Sequence, residues 1–283
     1  MAFQKVTEGA ATILFPKTNE VFYNPVQIFN RDLSINVIRT FLKIYKAENE
    51  EKRVKKEEKE DKEKEKEKEK EKEKEKEKDK DKEIQESGGQ KQSKNQEITI
   101  LEGLSATGLR AIRYFKEIPG ITKIIANDNN PVAVENIKRN VEFNGINSET
   151  EVIGNVGDAS LYMEMNKDMF TVVDLDPYGS ASVFLSGGIK ATKEGGLLCV
   201  TCTDMAVLSG SHGDACWSKY QSMPLHSNFC HEGALRILLR SIEAAANVQK
   251  KYIVPLISCS IDFYVRVFVR IHSSPLNVKR SPR

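Results

Sequence analysis

Ile98-Thr99-Ile100-Leu101-Glu102-Gly103-Leu104-Ser105-Ala106-Thr107-Gly108-Leu109-Arg110 decides the fold. Ile98 to Leu101 is an apolar run of strand length, Glu102 to Gly108 is a turn carrying two glycines, and a helix starts at Leu109. The same alternation continues downstream. Ile121 to Ala126 reads as a second strand ending in Asn127-Asp128, and Pro131 to Phe143 as a helix with its proline where a missing N–H does no harm. A third strand falls at Val152-Ile153 and a fourth at Phe170 to Leu175. A helix follows over Ser182 to Ala191, then a strand over Leu197 to Thr201. Strands alternating with helices predict an α/β fold, a mostly parallel doubly wound sheet that binds ligands beyond the carboxyl ends of its strands.

Outward from this region the composition changes. Residues 1–46 form a short N-terminal module, in which Phe22-Tyr23-Asn24-Pro25 is extended or turned because the residue before a proline avoids the helical region. Asn30 or Asp32 is expected to cap a helix whose apolar positions Leu33, Val37, Ile38, Phe41 and Leu42 share one face. Residues 47–97 are a low-complexity insert, nearly pure Glu and Lys from 48 to 83. With nothing apolar to bury, it is expected to be solvated, partly helical or disordered. Residues 98–250 hold the α/β domain, closing on an amphipathic helix over Glu232 to Val248. Ile261 to His272 then alternates as a strand, with Ile261, Phe263, Val265, Val267, Val269 and Ile271 on one face and Asp262, Tyr264, Arg266, Phe268, Arg270 and His272 on the other. Residues 251–283 are read as the start of an incomplete C-terminal domain, its one strand lacking neighbours.

Lys plus Arg number 43 against 41 Asp plus Glu, a net charge of +2, so composition alone supplies no strong field for a polyanion. Five cysteines, an odd number, suit free thiols in a reducing compartment. No apolar run of about 18 residues predicts a membrane span, and no secretory leader is expected. Cys199 and Cys202 have metal or redox spacing. However, alternation puts them on opposite strand faces and no second pair completes a zinc set, so they are read as buried thiols and no metal is expected. Arg236 and Arg240, one helical turn apart, belong to an RNA-facing patch or simply to a solvated helix face.

The chemistry-bearing residues lie at the strand ends. A cofactor with an adenosine and a charged amino-acid end needs a Gly-bearing turn for close backbone approach, a carboxylate for the ribose hydroxyls and a contact for the adenine. Gly103 and Gly108 supply the turn, Asp128 the carboxylate, and Asp158-Ala159 the adenine contact. A tight strand-to-helix connection explains the turn equally well. Ser105 in place of a second glycine departs from the dinucleotide fingerprint and disfavours a nicotinamide oxidoreductase. Asp174-Leu175-Asp176-Pro177-Tyr178-Gly179 ends the fourth strand. An aromatic amine such as that of guanine is a poor nucleophile because its lone pair is delocalised. Asp176 and the Pro177 carbonyl, accepting its hydrogens, help free that lone pair, and Tyr178 offers a face for stacking. The methyl of S-adenosyl-L-methionine is already activated as a sulfonium, so orientation and proton acceptance suffice. The competing reading is a plain Asp-Pro turn.

These residues resemble the tRNA (guanine(26)-N(2))-dimethyltransferases, a family of class I S-adenosylmethionine-dependent methyltransferases. The resemblance runs through Val21-Phe22-Tyr23-Asn24-Pro25-Val26, Phe29-Asn30-Arg31-Asp32-Leu33, Leu101 to Arg110, Ala126-Asn127-Asp128, Asp174 to Ser180, Cys199 to Ala206 and Asp262 to Val267. It implies a Rossmann-like fold, methylation of the exocyclic amine of guanine 26 to N(2)-methyl- and N(2),N(2)-dimethylguanosine, and tRNA as the partner of a monomer in nucleus, mitochondrion or cytoplasm. It further implies that Arg31 and Arg110 meet the cofactor's carboxylate end, Asp128 its ribose, and Asp158 with Ala159 its adenine. Phe22 and Tyr178 would sandwich a flipped-out guanine. Without the resemblance, core burial for Phe22 and a surface ion pair for Arg31 stand as alternatives. Ala181 replaces the family's usual second proline. The resemblance also implies a tRNA-gripping C-terminal domain, so the chain is expected to be a shortened product. The alternatives are an amino-group methyltransferase for DNA or protein, and a non-catalytic cofactor- or RNA-binding product of the same family.

Overall fold

The computed structural model describes residues 3–16, 23–75 and 97–281. Its first unit comprises residues 1–41 with 97–283, and its second residues 42–96. The first unit opens with an antiparallel hairpin, Phe3–Glu8 (β1) and Ala11–Pro16 (β2), which the sequence reading did not anticipate. Gly9 turns it at φ +55°, a left-handed conformation that glycine adopts cheaply. Asn24, not Asn30 or Asp32, is the N-terminal cap, its side chain accepting the Val26 N–H at 3.0 Å over a 3-10 turn at Pro25–Gln27. Helix α1 then runs over Ile28–Glu75, so Asn30 and Asp32 lie inside it.

The Glu/Lys insert is therefore helical as far as Glu75, and its remainder lies outside the described residues. Strict alternation begins only near Lys62. Before it, Arg53 pairs with Glu50 and Glu57, and Lys56 with Glu60, at helical spacing. Glu and Lys are also good helix formers.

The central sheet comprises Thr99–Glu102 (β3), Lys123–Asp128 (β4), Val152–Val156 (β5), Phe170–Leu175 (β6), Thr192–Cys202 (β7), Lys251–Ile261 (β8) and Tyr264–Ser273 (β9). The spatial order is β5-β4-β3-β6-β7-β9-β8. Strands β3 to β7 pair in parallel, and β9 runs antiparallel to both β7 and β8. The helices are α2 (Leu109–Glu117), α3 (Pro131–Phe143), α4 (Ala159–Met165), α5 (Leu185–Ala191), α6 (Met205–Leu208), α7 (Gly213–Tyr220), α8 (Cys230–Val248) and α9 (Pro275–Val278). Strand order reverses at β3, which puts the topological switch point between β3 and β6.

Strand β9 does not begin a separate domain. It is inserted between β7 and β8, with Thr201 opposite Arg266 on one side and Ser258 opposite Val267 on the other. Val265, Val267, Val269 and Ile271 join the core on one face, while Tyr264, Arg266 and Phe268 are buried on the other. A hairpin at Asp262-Phe263, with Asp262 at φ +46°, separates β8 from β9. The sequence hid β8 because Pro255 and a register shift break its alternation. Among the described residues no helix is long and apolar enough to cross a membrane, and no cluster of three or more His, Cys, Asp or Glu side chains could hold a metal ion.

Candidate active site

A cavity of about 560 Å³ opens at the switch point, within the range of roughly 300–1,000 Å³ typical of small-molecule sites. The turn after β3 forms its wall. The Gly103 N–H donates to the Asp174 carbonyl at 2.9 Å, and the Ser105 N–H donates to the Asn127 carbonyl at 2.8 Å. A Cβ on Gly103 would lie 3.1 Å from Leu175. Gly108, at φ +75°, starts α2 pressed against Ile137, where a side chain would both strain and crowd. The Asp128 carboxylate accepts the N–H groups of Ala106 and Asn130, each at 2.9 Å, and lies at the cavity edge.

Asp176, Pro177 and Tyr178 line the opposite wall. Asp176 is half-buried and hydrogen-bonds to the Arg110 guanidinium. Tyr178 is 76% exposed, a ring presented at the rim, and partial desolvation plus the charges of Asp176 and Asp128 push its pKa up. The loop carrying them is held from behind. Gly179 donates to Thr203 Oγ1 at 2.8 Å and accepts from the Thr203 N–H at 2.9 Å. Ser180 Oγ donates to the Tyr220 hydroxyl at 2.7 Å, and that hydroxyl donates to Asp204 at 2.8 Å. The Ala181 N–H reaches Cys202 Sγ at 3.5 Å, a contact that proline at this position could not make.

Below the rim lies a buried charged network that sequence reasoning missed. Asp174 is sealed, accepting from Arg266 at 2.7 and 2.9 Å and from the Tyr114 hydroxyl at 2.5 Å. Burial would raise its pKa, but Arg266 and Arg110 outweigh burial and hold the carboxyl below its usual range. Arg110 joins this layer to the rim: its charge lies 3.6 Å from Asp174 and 3.8 Å from Glu102, and it bonds Asn30 and Ser34 of α1 at 3.2 and 3.3 Å. Glu102, also a cavity residue, has its carboxyl pushed up to about 8 by burial, against the opposing Arg110 charge and the Ser105 hydroxyl. The spacing Asp-x-Asp was the available signal, since alternate strand residues share a face.

The expected residues are not all together. Gly103 backs the turn without lining the cavity, and Asp158 and Ala159 are absent from its wall: Asp158 caps α4 by accepting the Leu161 N–H at 2.8 Å, and Ala159 is buried. Phe22 lies outside the described residues. Arg31 does line the cavity, with its guanidinium engaged by Glu8 at 2.6 and 2.5 Å and by the Asn24 carbonyl at 3.2 Å. Thr203 and Phe263 are lining residues to which the sequence reading gave no role. Cys199 and Cys202 are buried free thiols.

A parallel sheet reversing at β3, with an antiparallel β9 inserted before its edge strand β8 and a rim cavity over the switch point, is the Rossmann-like methyltransferase fold. Residues 3–283 match the sequence profile of the N2,N2-dimethylguanosine tRNA methyltransferases, and the chain belongs to that family. It is 45% identical over 291 residues to the mouse tRNA (guanine(26)-N(2))-dimethyltransferase, covering 98% of this chain and 42% of the relative. It is 46% identical over 283 residues to the mitochondrial enzyme of that name from Saccharomyces cerevisiae, covering 98% and 49%. Among solved structures, Trm1 from Pyrococcus horikoshii in complex with S-adenosyl-L-methionine superposes with a TM-score of 0.74 at 29% identity, covering 98% of this chain and 63% of that one. The chain thus spans about half the length of the curated relatives it matches.

Proposed function

We propose that the chain transfers methyl groups from S-adenosyl-L-methionine to the exocyclic amine of guanine 26 in tRNA, giving N(2)-methyl- and N(2),N(2)-dimethylguanosine. The observation that carries this reading is that Asp176, Pro177 and Tyr178 line the same cavity as the turn residues Leu104 to Thr107 and Asp128. The lining fits the cofactor: the turn residues Leu104 to Thr107 after β3, a carboxylate at the end of β4, and two arginines, Arg31 and Arg110, for a carboxylate end. We assign the adenine contact to Asp158 and Ala159, which lie outside this wall. When bound, the cofactor supplies an electrophilic methyl on a sulfonium.

The residues of the chain supply the rest. Tyr178 stacks on the extruded base, and Phe22, outside the described residues, is the second aromatic partner that the family resemblance implies. Asp176 and the Pro177 carbonyl accept the two amine hydrogens, turning the nitrogen lone pair toward the methyl. Asp176 would accept the surplus amine proton as the methyl is transferred and pass it to water. The Thr203 and Tyr220 contacts keep the loop in place, so little reorganisation is needed. The enzyme acts as a monomer without a metal, in the nucleus or mitochondrion, the latter compartment being that named for the yeast relative.

The test is incubation of purified protein with unmodified tRNA and cofactor, followed by mass spectrometry of the nucleosides. Methylated guanosine is expected, and none with Asp176→Ala. Absence of product at high enzyme, with the cofactor demonstrably bound, refutes the proposal.

A further inference from the structure

A second concavity of about 200 Å³ lies behind the catalytic loop, between α5, α7 and α8. Its floor is apolar, made by Leu185, Ala244 and Ala245, and its rim carries Lys219, Arg240 and the hydroxyl of Ser182. Lys219 shares Asp204, at 3.3 Å, with the Tyr220 hydroxyl. Arg240 is exposed and has no acidic partner among the described residues, whereas Arg236, one helical turn earlier, is paired with Glu232 at 2.7 Å. Positive charge is thus neutralised at Arg236 and left available in the hollow. An apolar floor under a cationic rim suits a sugar–phosphate unit, the sugar carbons resting on the alanines and the anion meeting the guanidinium fork.

The place of this hollow ties it to the reaction. Tyr220 lines it and receives the Ser180 hydrogen bond, while Ser182 lines it six residues beyond Asp176, at most about 20 Å of extended chain. We propose that the hollow is a subsite for a backbone phosphate of the RNA strand, gripped by Arg240 and Lys219 a few nucleotides from the reacting guanine. The inference rests on the proposed methylation of tRNA. It assigns the strand a register against the catalytic loop that base contacts alone do not supply.

The test compares wild type with Arg240→Gln, Arg240→Glu, Arg240→Lys and Lys219→Gln. It measures binding of unmodified tRNA across 50–200 mM salt, a range that resolves phosphate contacts, together with methyl transfer, cofactor affinity and melting temperature. Arg240→Gln should weaken binding several-fold for every tRNA and flatten the slope of log affinity against log salt by about 0.7–0.9. Arg240→Glu should weaken it further, Arg240→Lys should retain most of the slope, and Lys219→Gln should resemble Arg240→Gln. Cofactor affinity and melting temperature should not move. An unchanged slope in both Arg240→Gln and Arg240→Glu, with wild type methylating tRNA normally, overturns the subsite alone. Wild type neither binding nor methylating tRNA overturns both readings. Stabilisation of wild type by inorganic phosphate, with no change of tRNA slope in the variants, assigns the hollow to a small anion and overturns the proposal.

Discussion

Replacing Arg266 by Met tests whether the sealed charge layer under the rim sustains the fold. Arg266 and Asp174 are both fully buried, and the guanidinium also bonds Thr201 at 2.7 Å and Ser34 at 2.9 Å. Removing the cation strands a buried carboxylate, which costs about 3–5 kcal/mol. Tyr114 and Arg110 still serve Asp174, which places the loss near about 3 kcal/mol. For a denaturant slope of about 3 kcal/mol/M, the urea midpoint falls by about 1 M. The pairing of Asp174→Asn with Arg266→Met removes both charges, so it should cost less than the sum of the single changes, by about 0.5–3 kcal/mol. The pH dependence carries a second signature. A carboxyl depressed in the folded state contributes stability above its unfolded pKa and loses it as pH falls through the folded value. The Arg266→Met deficit should therefore be largest at neutral pH and shrink in acid, where wild type also loses the pair. An unmoved midpoint, or strictly additive single changes, would show that the pair is not the keystone of that layer.

Glu102 works with the opposite sign: its carboxyl is raised to about 8, so the stability it allows is complete below about pH 4.5 and is lost as pH rises toward 8. Urea melts of Glu102→Gln at pH 6 and 9 should therefore favour the variant increasingly with pH, by at most about 1.4 kcal/mol per unit; a constant difference refutes this. Thr203→Val removes one hydrogen bond behind the loop carrying Asp176 and Tyr220→Phe removes two, at about 0.5–1.5 kcal/mol of stability per bond. Both should lower turnover while calorimetry finds cofactor affinity unchanged, and wild-type turnover would dismiss the restraint. Asp128→Ala removes the charged partner proposed for the ribose, so the cofactor Kd should rise roughly 10- to 150-fold, the equivalent of about 1.5–3 kcal/mol. Titration showing wild-type affinity would exclude that role.

Most of the sheet was legible because its signals are local. Phe170 to Leu175 and Pro131 to Phe143 are strand and helix with the bounds expected from apolar run length and the position of proline. The edge of the sheet was not legible. Nothing in the alternation of β9 distinguishes a strand with missing neighbours from one buried between two, and only burial of both faces separates the cases. The N-terminal hairpin was hidden for a related reason. Its anchor, Glu8, is satisfied by Arg31 and Arg113, partners 23 and 105 residues away, and no local pattern announces such a contact.

The site divides along the same line, and the division explains its construction. Asp174 and Asp176 are two residues apart, so the pleat points both toward one face of the sheet, while Leu175 between them enters the opposite core. Chain geometry thus places one carboxylate inside and the next at the rim. What it cannot fix is how the inner acid stays ionised once buried, since burial alone disfavours the charged form. The fold meets that cost with a cation from a distant element, Arg266 of β9, while Arg110 of α2 pairs with the outer acid. The inner pair carries the burial penalty beneath the rim, and the outer acid stays at the cavity wall. An Asp-Pro-Tyr-Gly stretch read alone is only a turn. It becomes a candidate proton acceptor because two arginines, 66 and 92 residues away from the acids they hold, are folded beneath it.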